Sequence, residues 1–156
     1  MSTPNLLDAI RVVKENERIA SETYAEAAQK TNDTMGKNLF EMLSEFEKVH
    51  YAQLTTLEKS LEASGDFLDS EGKEFPLPPI FEIKAAEEPD QKSIYGIISA
   101  AMDLEKQAEK AYADLAALTT DPQGHEVFSR RAEQEHNHYL ILRDAYWALS
   151  QQRLNL

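Results

Sequence analysis

No cysteine occurs among the 156 residues, so the chain has no disulfide framework, no thiolate-bound zinc or iron–sulfur centre and no catalytic thiol. Any metal must be held by histidines and carboxylates. Basic residues are scarce as well: 16 Lys and Arg face 28 Asp and Glu, and the formal charge of −12 opposes binding to nucleic acid or to an anionic membrane surface. No apolar run approaches the roughly 20 residues of a spanning helix, and no basic region followed by a hydrophobic signal core opens the chain. The expectation is therefore a cytoplasmic protein with no membrane and no nucleic-acid partner. Glycine and proline number only five and six, and most of them fall between Gly65 and Pro89. Outside that stretch little interrupts long helices.

The 42% of hydrophobic residues suit one compact domain over 1–156. Thr3 and Pro4 can cap and open a first helix that runs to about Lys30 on Ile10, Val13, Ala20, Tyr24 and Ala27, with Glu17 in the same stripe. Asn32 and Asp33 cap a second helix that ends near Ser64 and Gly65. A third helix is expected from about Asp90 to Thr119 on Ile94, Ile98, Ala101, Ala108, Tyr112 and Leu115, with Glu105 inside its stripe. Thr120, Asp121 and Pro122 open a fourth, which continues to about Gln151. The reading is an all-α, antiparallel four-helix bundle made of two hairpins, 4–64 and 90–151. Residues 65–89 form a long crossover between them, since ordinary helix–helix connections take about 2–8 residues.

The second helix carries the chemistry. Leu39, Leu43, Phe46, His50, Leu54 and Leu57 form one helical stripe, and Glu47 stands three residues before His50, so both side chains leave the same face. An equivalent pair follows in Glu133-Gln-Glu-His136, with Leu140 one turn beyond. Glu17 and Tyr24 are repeated as Glu105 and Tyr112 at an offset of 88, and Glu47 and His50 as Glu133 and His136 at an offset of 86. Glu135 with His138 offers a competing register. The pair Glu133 and His136 is preferred because Ala132, His136, Tyr139 and Leu140 continue an apolar stripe. His138 and His125 are then solvated, and Glu22, Asp103 and Glu109 are surface charges, although Glu109, one turn past Glu105, can serve as a supplementary carboxylate. Trp147, with Tyr146, is read as core or interface packing rather than as a redox relay.

A lone Glu-x-x-His is more often a surface ion pair than a site. Four carboxylates and two imidazoles turned inward on four helices are another matter, because buried ionised carboxylates persist only when paired or metal-bound. Two divalent ions supply the compensation. One Glu from each of two helices and one Glu-x-x-His from each of the other two is the ligand pattern of carboxylate-bridged di-metal bundles. Glu47 and Glu133 would bridge, Glu17 and Glu105 would be terminal, and His50 and His136 would take one ion each. Tyr24 and Tyr112 could donate hydrogen bonds to carboxylates across the bundle.

On these residues the chain resembles the rubrerythrin-related branch of the ferritin-like superfamily over nearly its whole length. The resemblance implies two metal ions per site, iron first, with manganese or zinc compatible with the same donors. It also implies reduction of peroxide or dioxygen. Two departures matter: there is no cysteine for a rubredoxin-type iron, and Ala108 stands where that branch carries an additional glutamate. Electrons would then come from an external donor protein. Other readings are an iron-oxidising or iron-handling protein acting on Fe2+, and a non-enzymatic metal-stabilised scaffold. Because 65–89 is long enough to complete the site within one chain or with a second, a homodimer is expected.

Overall fold

Asn5 fixes where the first helix begins. Its side chain accepts from the Asp8 N–H while Asp8 accepts from the Asn5 N–H, both at 3.0 Å, a reciprocal cap that satisfies two backbone donors. In the computed structural model, which describes residues 5–32, 34–64 and 94–154, α1 accordingly spans Leu6–Lys30. It is followed by α2 (Thr34–Ser64), α3 (Ile94–Leu118) and α4 (Pro122–Leu154). Asp121 caps α4 by accepting from the Gly124 N–H at 2.9 Å. The sequence-expected start at Thr3 and Pro4, the Asp33 cap and residues 90–93 of the third helix lie outside the described residues. Among the described residues no helix is long and apolar enough to cross a membrane.

Contacts between helices set their directions. Arg11 meets Glu58 and Glu62, and Ser21 meets Ser44, so α1 and α2 are antiparallel. His125 meets Ala116 and His136 meets Glu109, which makes α3 and α4 antiparallel. Across the bundle Tyr24 pairs with Glu105 and Tyr112 with Glu17, so α1 also opposes α3. It follows that α2 and α3 run the same way, and that Ser64 and Ile94 lie at opposite ends of the bundle. No short turn can join such ends. The crossover expected at 65–89 itself falls outside the described residues.

The apolar core is divided in two. One cluster contains Tyr24, Phe40, Leu43, Ile98 and Leu142; the other contains Ile10, Leu54, Tyr112, Leu115 and Phe128. Residues 88 apart exchange places between them: Phe40 with Phe128, Leu54 with Leu142, Ile98 with Ile10, and Tyr24 with Tyr112. The two hairpins are thus related by a pseudo-twofold that swaps the clusters. Each fully buried Phe or Leu contributes about 1.5–3 kcal/mol. Between the clusters, where the axis passes, lies a buried polar band.

Candidate metal centre

Each helix delivers its share of the band from a mid-helix position on its buried stripe. Glu17 comes from α1, Glu47 and His50 from α2, Glu105 from α3, and Glu135 and His138 from α4, all buried. They form two overlapping groups, Glu17, Glu47, His50 and Glu135, and Glu47, Glu105, Glu135 and His138. Within each group one ligand atom per residue lies within 4.8 Å of the others. Glu47 and Glu135 belong to both. The two imidazoles lie nearly parallel, with centroids 5.8 Å apart and planes inclined by 12°.

Both imidazoles aim Nδ1 at carboxylates. His50 Nδ1 lies 3.0 Å from Glu135 Oε1 and 3.5 Å from Glu17 Oε1 and Glu47 Oε2. His138 Nδ1 lies 3.1 Å from Glu47 Oε1 and 3.6 Å from Glu105 Oε1. Behind them Tyr24 donates its O–H to Glu105 Oε1 at 2.6 Å, and Tyr112 donates to Glu17 Oε1 at 2.5 Å.

Burial lifts the Glu47 carboxyl to about 8, helped by the charge of Glu17. It also drives Glu105 well above the ordinary range, with the charge of Glu135 as the next cause. Glu17 moves the other way, because its interactions with the neighbouring Glu47 carboxyl and the His50 ring outweigh its burial. Burial alone would lower both histidines, but the carboxylates crowded around each ring overcome it and raise His50 to about 11 and His138 to about 12. Without a metal the cluster therefore stores protons, which divalent cations would displace on binding.

The donor set fits such cations. His50 Nδ1, Glu105 Oε2 and Glu135 Oε1 are buried without a hydrogen-bond partner, the short His50–Glu135 approach being too poorly aligned to count as one. Orphaned buried polar atoms are costly, and three converging in one cluster are what metal coordination would satisfy. Carboxylate oxygen and imidazole nitrogen suit iron, manganese or zinc.

Two of the residues expected from sequence are not in the cluster. Glu133 is exposed, and His136 is partly exposed, with Nδ1 3.0 Å from Glu109 Oε1 on the α3–α4 surface. The reason is helical phase: the buried stripe of α4 runs Phe128, Glu135, His138, Leu142, and positions two residues apart point about 200° away from each other. His138, expected in solvent, is buried. With Glu135 and His138 in place, all the repeated site residues share the single offset of 88, which is the signal that identifies the register. Phe46, expected in the inward stripe of α2, is 44% exposed and leans on the His138 ring at 5.3 Å. Trp147, expected in core or interface packing, is 66% exposed and so is not part of the core.

Toward α1 and α3 the site opens into a cavity lined by Val13, Ala20, Leu104, Ala108 and Ala111, with Asn16, Tyr24 and Tyr112 beside the carboxylates. Its small apolar walls leave room for a small molecule next to Glu17, Glu47, Glu105 and Glu135.

No protein-family model and no curated protein matches the chain. Solved structures do. A candidate ferritin-like diiron-carboxylate protein from Thermotoga maritima aligns with a TM-score of 0.74 at 16% identity, covering 94% of this chain and 97% of the other. A hypothetical protein from Pyrococcus furiosus gives 0.72 at 23% identity, covering 97% and 98%. An uncharacterised conserved protein from Magnetospirillum magnetotacticum gives 0.69 at 19%, covering 95% of each chain. At these identities the likeness defines the fold, an all-α four-helix bundle of the ferritin-like kind. Within that fold the chain carries a buried Glu and His cluster able to hold metal ions.

Proposed function

We propose that this protein is a non-haem di-metal carboxylate oxidoreductase that reduces peroxide or dioxygen with electrons from an external donor protein. The observation that carries the reading is the membership of Glu47 and Glu135 in both four-ligand groups. Two carboxylates common to two adjacent groups are what a bridged pair of ions requires. Glu17 and His50 would complete one ion's ligands, and Glu105 and His138 the other's.

Bound there, iron would supply the two electrons that reduction of a peroxide bond consumes, whereas zinc would only stabilise the bundle. The chain's own residues do the rest. Tyr24 and Tyr112 hold the terminal carboxylates in place by hydrogen bonds from outside the cluster. The apolar walls of the cavity admit a small neutral oxidant and disfavour larger charged reductants, so electrons have to arrive through the protein. With no cysteine in this sequence, none of its residues can form an iron–thiolate relay, and the electron donor in this reading is external to the bundle.

The test is anaerobic loading with Fe2+, followed by peroxide or dioxygen, with and without a reductase that can re-reduce the site. Rapid oxidation at one peroxide per pair of irons, repeated when reductant is present, is the expected result. Accumulation of many irons per chain would favour iron handling instead, and an oxidant-inert pair of ions would leave only a scaffold.

A further inference from the structure

The cavity beside the cluster is lined largely in pairs. Glu17 and Glu105, Ala20 and Ala108, Tyr24 and Tyr112, and Glu47 and Glu135 each lie 88 residues apart, and the members of each pair are identical. One pair breaks the rule. Asn16 on α1 lines the cavity where the pseudo-twofold places Leu104 on α3, and both are buried, at 3% and 5% exposure. Since leucine fills this place in one half, packing alone does not call for an amide in the other. Asn16 already interacts within the protein, and an amide differs from leucine in the further hydrogen bonds it can make.

We infer that Asn16 is a positioning residue, which hydrogen-bonds a small oxidant in the cavity and directs one end of it toward the wall that carries Glu17. The inference rests on the di-metal reading. An amide has two N–H donors and two acceptor lone pairs, so bonding to the protein on one edge leaves capacity on another. Leu104 has neither. A peroxide or dioxygen, symmetrical in itself, therefore meets a hydrogen-bonding wall at one end and an apolar wall at the other. Two ion positions with the same donors become inequivalent toward the molecule that lies between the walls.

Azide is a small anion whose binding to oxidised iron can be followed by absorbance, independently of turnover. Sodium azide is titrated into the iron-loaded, oxidised parent, into Asn16→Leu, and into the relocated variant Asn16→Leu with Leu104→Asn. Asn16→Leu should keep two irons per chain and bind azide about tenfold more weakly, the loss of one hydrogen bond to a charged ligand. The relocated variant should recover most of that loss, because the pseudo-twofold offers the equivalent place. KM for peroxide should rise more than kcat falls. Unchanged azide affinity in Asn16→Leu at full iron content would overturn the inference and leave the di-metal reading standing, as would a loss that relocation fails to restore. A parent protein that binds no iron would sink both. If Asn16→Leu does not fold, Leu104→Asn in the otherwise unaltered chain decides the matter: azide should tighten, and no change would count against the role.

Discussion

Tyr24 on α1 donates its hydroxyl to Glu105 on α3 at 2.6 Å, with both residues almost completely buried. The same bond recurs between Tyr112 and Glu17 at 2.5 Å, so each hairpin braces the terminal carboxylate of the other. The two bonds differ in electrostatics, since Glu105 is pushed up by burial whereas Glu17 is held below the ordinary range by its interactions with Glu47 and His50. Charge-assisted bonds are the stronger kind. Tyr112→Phe should therefore destabilise the metal-free protein by about 1.5–3 kcal/mol, and Tyr24→Phe by less, nearer about 1 kcal/mol. Urea denaturation at neutral pH measures both, and equal losses would contradict the assignment.

Metal content separates the two registers of α4. Glu47→Ala and Glu135→Ala should each lose both ions, because each side chain belongs to both groups, while His138→Ala should lose one. Glu133→Ala and His136→Ala should keep the full content. Elemental analysis after desalting reads the outcome, and retention of both ions by Glu135→Ala would remove the basis for a bridged pair.

Stability of the metal-free protein should fall as pH rises. Glu47 is raised from its ordinary 4.5 to about 8, and His50 and His138 from 6.5 to about 11 and about 12. In each interval the folded state holds a proton that the unfolded chain has released, so raising the pH favours unfolding. The loss begins above 4.5 with Glu47 and continues above 6.5 with the histidines. Glu17 acts in the opposite sense, losing its contribution as pH falls below its ordinary 4.5. Thermal unfolding should give a lower Tm at pH 9 than at pH 6, with a smaller difference when divalent ions are added, since they take the place of the protons. A Tm that climbs across this interval would show that the histidines are not held charged.

The two apolar clusters should respond alike to matched truncations. Phe40→Ala and Phe128→Ala remove side chains that are fully buried and exchanged by the pseudo-twofold, and each should cost about 3–5 kcal/mol. Chemical denaturation of the two variants is the measurement. One severe loss beside one negligible loss would mean that one cluster folds without the other.

The fold was legible in the sequence because α1 and α3 keep their apolar residues in register with the helical period. Ile10, Val13, Glu17, Ala20 and Tyr24 read as one face, and the structure buries that face. α4 was not legible in the same way. Its apolar residues are spread around the helix: Leu142 is buried, Tyr139 and Leu140 half-buried, and Ile141, Tyr146 and Trp147 exposed. With no single stripe to follow, the choice between Glu133 and Glu135 turned on neighbours that pack only partly. Phe46 misleads for a related reason, since an aromatic residue on the edge of a stripe reads as core although it covers His138 from outside. Asn16 had no signal of its own, and becomes conspicuous only when the halves are superposed and Leu104 is found opposite it.

Neither group of four ligands belongs to one hairpin. The first takes Glu135 from the second hairpin, and the second takes Glu47 from the first. In a sequence without cysteine, ions held by these residues would be the rivets between the halves, tying α2 to α4 in the way a disulfide staples other small domains. Such a joint is indifferent to reductants but yields to sequestering agents. Its integrity would follow the supply of cations rather than the thiol balance of its surroundings.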